Sequence, residues 1–281
     1  MTKNEAFELF QKMIDAAEKE LLSFTLHSAL SVEHKADKTA VTECDKSIDR
    51  TLSAIARDNN LQVVSEEGAL VQDIVKSGNY ITIDPIDGTL GYIEYVNDAL
   101  SKGNISQFLQ TDLGPQSDFC LLLGIVENGK PVFGACYNYI TKEKIFIDGS
   151  NKNNLQRVNN KRSYTSPNAV YVDQRPGDSI EEVLKSTQEV TVIKQAALGL
   201  KSLYTLINPH ENAITVHRVQ VAGLWDIMPA AVAAQVFGGQ IYDDLGNPLE
   251  FNKYIILPGK GATIIKGHKF DFVIDLLKKN S

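Results

Sequence analysis

An apolar run, Ile81-Thr-Ile, closes on Asp84-Pro-Ile-Asp-Gly-Thr89, and no other stretch constrains the chain as tightly. A strand that ends in an acidic residue beside a tight turn is poorly placed for packing and well placed for binding a metal. Pro85 limits the turn's conformations, so that Asp84 and Asp87 can converge on one point. The NH groups of Gly88 and Thr89 then face a phosphate, as in other backbone nests. A helix starting near Thr89 would add its N-terminal dipole to that attraction. Taken alone, the same string is satisfied by an ordinary Asx-capped turn.

Three other acidic groups sit at the ends of expected elements. Glu66-Glu67 follow the strand Leu61–Ser65, Asp45 opens a helix over 42–59 for which Thr42 is the expected cap, and Asp226 follows Trp225 at the head of an apolar helix. Each has an ordinary reading by itself: solvated charge, a favourable charge in a first helical turn, or a cap. All of them together in one chain point to a carboxylate cluster.

The flanking pattern is mixed. Residues 4–30 carry Phe7, Phe10, Ile14, Ala17 and Leu21 at helical spacing, and Val32–Val41 reads as a loop. Strands are expected at Tyr80–Asp84, Phe119–Val126, Pro131–Tyr139 and Lys144–Asp148, with Glu127-Asn-Gly-Lys130 as a hairpin turn. Ile93–Ser117 reads as a long loop with one helical turn, and Gly149–Pro167 as a boundary between halves 1–160 and 161–281. Beyond it come strand Ala169–Val172, helix Ser179–Ser186, strand Val190–Lys194, a short helix near Leu198–Ile207, helix Gly223–Phe237, strands Gln240–Tyr242 and Thr263–Ile265, and helix Phe270–Lys279. That alternation argues for layered α/β architecture.

Composition narrows the function classes. The net charge of −7 comes without a basic run, which speaks against a nucleic-acid polymer as partner. No apolar run approaches the roughly 18 residues of a membrane span. Three cysteines, Cys44, Cys120 and Cys136, lack metal-site spacing. With no secretory signal visible, they predict reduced thiols and a cytoplasmic setting. Metal cations at an acidic site would let an acidic protein take an anionic substrate.

With these residues in order, the sequence resembles the lithium-inhibited, magnesium-dependent phosphatase superfamily of inositol monophosphatase, inositol polyphosphate 1-phosphatase, fructose-1,6-bisphosphatase and the 3′(2′),5′-bisphosphate nucleotidases. The resemblance runs from Lys38–Asp45 through Glu66-Glu67 and Asp84–Thr89 to Trp225-Asp226 and Gly238-Gly239. It implies an αβαβα sandwich and a small phosphorylated metabolite as substrate, in a monomer or homodimer. It implies roughly two or three Mg²⁺ ions held by Glu66, Asp84, Asp87, Asp226 and the Ile86 carbonyl, with Glu67 behind them. Asp45 and Thr89 match the pair that orients and deprotonates the attacking water, and Gly88 and Thr89 the phosphate-binding NH groups.

Some positions depart from the pattern. Ser65 replaces a common Gly. Lys201 falls where nucleotidases carry a phosphate-contacting Lys, but Leu198 stands where their Ser would be, so Ser202 becomes the substitute. The 24 positions from Lys201 to Trp225 and the Asp244–Leu249 segment look like nucleotidase sequence, and rank adenosine 3′,5′-bisphosphate ahead of an inositol phosphate. His217 and Arg218 are weaker candidates for substrate contact.

Overall fold

Two sheets, each covered on both faces, organise the chain. The computed structural model describes residues 1–27, 32–34, 40–69, 72–159, 166–173, 179–186, 189–218, 222–259 and 261–279. The first part runs α1 (Lys3–His27), β1 (Val32–His34), β2 (Ala40–Thr42), α2 (Glu43–Asp58), β3 (Val63–Ser65), α3 (Gln72–Ser77), β4 (Tyr80–Asp87), α4 (Thr89–Ser101), β5 (Cys120–Glu127), β6 (Lys130–Asn138), β7 (Glu143–Asp148) and β8 (Gln156–Val158). It continues with β9 (Ala169–Val172), α5 (Ser179–Ser186), β10 (Thr191–Lys194), α6 (Leu198–Ile207), β11 (Ala213–His217), α7 (Leu224–Phe237), β12 (Gln240–Asp243), β13 (Ala262–Lys266) and α8 (Phe272–Lys279).

The first sheet has the order β3-β4-β5-β6-β7-β8, and the second β10-β9-β11-β13-β12. Side-chain alternation along each strand assigns the layers. On β5, Leu121, Leu123 and Ile125 pack with Phe10, Ile14, Ile48 and Leu52 of α1 and α2. Cys120 and Leu122 turn the other way, toward Leu203 of α6 and Ile227 of α7. On β9, Ala169 and Tyr171 join that same middle cluster, while Val170 and Val172 face Leu184 of α5 and Ile274 of α8. The result is the expected αβαβα sandwich.

Helix character follows layer. α2 is apolar on one stripe only, Cys44, Ile48, Leu52 and Ala56, and lies outside. α7 is buried without interruption from Leu224 to Ala233; a helix apolar on all sides belongs between two sheets. Each such Leu, Ile or Met contributes about 1.5–3 kcal/mol by leaving water. This burial fixes where Asp226, in the first turn of α7, must sit.

Several expectations are corrected. Ile93–Ser101, expected within a loop, continues the helix that starts at Thr89. Its buried face is Gly91, Tyr92, Tyr95, Val96 and Ala99. β4 does not stop at Asp84 but continues to Asp87. The short ribbon β1–β2 occupies the ends of the 32–41 segment, whose residues 35–39 lie outside the described set. β8 lies inside the expected boundary and pairs with β7; residues 160–165 of that boundary are outside the described set. The strand β11 and helix α3 had no prior expectation. The hairpin stands as expected, with Asn128 and Gly129 both at positive φ, 52° and 73°, as a primed turn requires.

Candidate metal centre

The pairing of β4 with β5 explains why two aspartates three residues apart meet. Asp84 lies opposite Leu122 and Asp87 opposite Cys120, with a register shift between them. Three steps on β4 therefore match two on β5, which is a bulge of one residue at Pro85-Ile86. In a regular strand residues 84 and 87 would point to opposite faces. The extra residue restores parity and turns both carboxylates toward α6 and α7. Pro tolerates a bulge because it gives up no ladder hydrogen bond there, and the Tyr139 hydroxyl donates to the Pro85 carbonyl at 3.0 Å.

Asp226 arrives from α7. Its Oδ2 accepts from the Gly223 NH at 2.6 Å, a reciprocal bond that locks the helix start. One oxygen each of Asp84, Asp87 and Asp226 lie within 4.8 Å of one another, and all three residues are buried. Glu66, at the end of β3, lies close enough for its charge to act on Asp84. Its own NH donates to the Ile83 carbonyl at 3.1 Å. Glu67 beside it is half-buried. Ser65, in the place of a glycine, is accommodated by a hydrogen bond to the buried Asp49.

A second group lies along α2 and α4. Thr42 caps α2, and Asp45 closes the capping box by accepting from the Thr42 NH at 2.9 Å and from the Thr42 hydroxyl. The other oxygen of Asp45 accepts from the Thr89 hydroxyl at 3.2 Å, and that hydroxyl also lies 3.1 Å from the Ile86 carbonyl. Gly88 caps α4 at φ 91°, a left-handed conformation that favours glycine. The Thr89 and Leu90 NH groups precede the first bond of α4, from the Gly91 NH to the Gly88 carbonyl at 2.8 Å, and carry the positive end of its dipole.

Packing like charges in a dry site raises their proton affinity. Burial, then Glu66, Asp87 and Asp226, hold Asp84 well above the usual carboxylate range. Burial pushes Asp87 up to about 6, against the pull of the Gly199 NH, Lys201 and the Leu198 NH. Burial also pushes Asp45 up to about 6, opposed by the Thr42 bonds. Asp84 Oδ2 is buried with no hydrogen-bond partner. An all-oxygen set of carboxylates with an orphaned acceptor fits a hard divalent cation such as Mg²⁺.

One part of the site was not visible beforehand. The Leu198 and Gly199 NH groups, at the start of α6, donate to the two oxygens of Asp87 at 2.9 and 2.6 Å. Gly199 is required by close approach: a Cβ there would meet Leu122 and come within 2.5 Å of the Asp226 carbonyl. Backbone donors leave no side-chain signature; the only signal was a glycine near a helix start.

The substrate-side residues lie elsewhere. Lys201 is fully buried and ion-paired to Asp173 at 3.4 Å, with its charge acting on Asp87. Ser202 is fully buried with an unpartnered hydroxyl. A group with no exposed surface reaches a substrate only if the chain moves. His217 is buried 3.7 Å from Asp173, and Arg218 pairs with Asp244.

Solved structures of this architecture are numerous. An IMPase/NADP phosphatase complexed with Mg²⁺ and phosphate superposes with a TM-score of 0.71 at 15% identity, over 99% of this chain and 96% of the other. A staphylococcal IMPase complexed with products gives 0.71 at 16%, over 100% and 97%. The extragenic suppressor protein SuhB from Bartonella henselae gives 0.65 at 15%, over 98% and 99%. At such identities the likeness is one of fold. The sequence itself decides the rest: the inositol monophosphatase family model matches residues 3–261, and the chain belongs to that family of Mg²⁺-dependent phosphomonoesterases.

Proposed function

We propose that the chain hydrolyses the phosphate monoester of a small metabolite by direct attack of water, without a covalent enzyme intermediate. The observation that carries this reading is the buried meeting of Asp84, Asp87 and Asp226 beside the hydrogen-bonded pair Asp45–Thr89. Bound at the carboxylates, Mg²⁺ supplies the positive charge that lets a dianionic ester approach and that stabilises the departing oxygen. The chain's own groups do the rest. The Thr89 hydroxyl, held between Asp45 and the Ile86 carbonyl, orients the water and passes its proton to Asp45. A base whose proton affinity is pushed up to about 6 is suited to that task near neutrality. The NH groups of Gly88 and Thr89, at the start of α4, hold phosphate oxygens by charge-favoured hydrogen bonds.

For the substrate we propose adenosine 3′,5′-bisphosphate, releasing AMP. The Lys201–Trp225 spacing and the Asp244–Leu249 segment support it. A second reading is an inositol phosphate, favoured by the family that matches. Phosphate release from adenosine 3′,5′-bisphosphate, inositol 1-phosphate and inositol 1,4-bisphosphate with Mg²⁺ separates the two. Faster turnover of an inositol phosphate overturns the nucleotide assignment. No turnover of any phosphomonoester overturns the reaction class.

A further inference from the structure

Two of the three cysteines stand beside the carboxylate cluster, and nothing in the chemistry above uses them. Cys120 opens β5 directly opposite Asp87, and its thiol donates to Asp87 Oδ2 across 3.7 Å. Cys136 lies opposite Leu122 on β6, two residues along and on the same face. The two thiols lie close enough to interact. Both are free and buried.

The spacing has a specific meaning. A tetrahedral Zn²⁺ with a thiolate at about 2.3 Å and a carboxylate oxygen at about 2.0 Å needs those two donors roughly 3.5 Å apart. Cys120 Sγ and Asp87 Oδ2 meet that requirement without movement of either strand. The orphaned buried Oδ2 of Asp84 belongs to a residue one bulge away on β4. A thiolate among carboxylates also changes the metals a site prefers, since sulfur favours thiophilic ions over Mg²⁺.

We propose that Cys120 and Asp87 form a soft-metal site that takes Zn²⁺ or Cd²⁺, with Cys136 as the second sulfur within reach. Binding forms a metal–sulfur bond and breaks the S–H bond, and the proton leaves to solvent; nothing is oxidised or reduced. Asp87 cannot serve a soft ion and Mg²⁺ in the same way at once, so the two compete. The proposal leans on the hydrolytic reading only for that competition.

The test is a Cd²⁺ titration of the full-length protein, followed by the ultraviolet thiolate-to-cadmium charge-transfer band. The wild type should show the band saturating at one Cd²⁺ per chain, with its midpoint shifted upward by excess Mg²⁺. Cys120→Ala should abolish the band or weaken Cd²⁺ at least tenfold, and Cys44→Ala, packed on the opposite face of the sheet from Cys120, should leave it unchanged. X-ray absorption of the wild-type Cd²⁺ complex needs no variant and should find one or two sulfurs in the metal's shell. A band that survives Cys120→Ala, or a shell of oxygen and nitrogen only, overturns the proposal. Indifference to Mg²⁺ overturns the shared use of Asp87. Neither arm requires turnover, so a failed substrate panel and a failed titration are distinguishable.

Discussion

Asp45→Asn tests the reading of the Asp45–Thr89 pair through stability as well as activity. Asp45 is 1% exposed, and burial raises its carboxyl from 3.8 to about 6. At neutral pH the folded, metal-free chain must therefore ionise a group that its surroundings disfavour. At 1.36 kcal/mol per pH unit this costs roughly 3 kcal/mol relative to the unfolded chain. Asparagine removes the charge and keeps the contacts. Its carbonyl accepts from the Thr42 NH in place of Oδ2, and its amide donates to Thr89 Oγ1 in place of Oδ1. The sign follows from linkage. A raised carboxyl contributes stability that is present below 3.8 and lost as pH rises through about 6. The variant's advantage therefore appears above about 6 and fades toward 3.8. In EDTA at pH 7.5 it should melt higher by roughly 6 °C, taking ~2 °C per kcal/mol at this chain length. Turnover with Mg²⁺ should fall by about 10²–10⁴, because the amide cannot take the water's proton. Thermal unfolding at pH 7.5 and pH 4 checks both halves. A variant that melts at or below the wild type at pH 7.5, or whose gain persists undiminished at pH 4, refutes the reasoning.

Asp87→Asn should lose nearly all Mg²⁺-dependent phosphate release while the circular-dichroism spectrum stays native; retained turnover would remove Asp87 from the centre. Because Asp87 titrates at about 6 in the metal-free site, Mg²⁺ must expel a proton below that pH. Apparent affinity should climb as pH rises through about 6 and then level, and calorimetry in buffers of different ionisation enthalpy should detect the released proton. Gly199→Ala drives a methyl against Leu122 and the Asp226 carbonyl. It should destabilise by about 1–3 kcal/mol and weaken Mg²⁺, measured by denaturant unfolding and calorimetry. Li⁺ at roughly millimolar concentration should inhibit by competing for oxygen ligands of the kind that hold Mg²⁺; turnover unchanged by Li⁺ would count against the family reading of the site.

Much of the centre was legible because its side chains break a local rule. Asp84, Asp87, Glu66 and Asp226 are charges at the ends of apolar elements, where packing alone has no use for them. Thr42 before Glu43-Cys-Asp45 announced its cap by residue type and spacing. The parts that were not legible lack such a mark. The bulge at Pro85-Ile86 depends on register with β5, a relation between segments that no window of sequence contains. The α6 NH groups that hold Asp87 belong to Leu198 and Gly199, whose side chains say nothing of hydrogen bonding. Lys201 read as a phosphate contact, a role that needs an accessible side chain, because lysines are seldom fully buried. Asp173, 28 residues away, gives it an interior partner.

The single extra residue in β4 also sets how this centre can change. Inserting one residue into β5 between Cys120 and Leu122 would keep every carboxylate in the chain and leave the ladder with β4 smoother than before. Yet Asp84 and Asp87 would then become neighbours of opposite facing, one turned inward to α7 and one outward to α2. Substitution can retune such a centre one group at a time. A regular ladder instead divides it between two layers, so the β4–β5 pair is bound more strictly by its relative count of residues than by their identities.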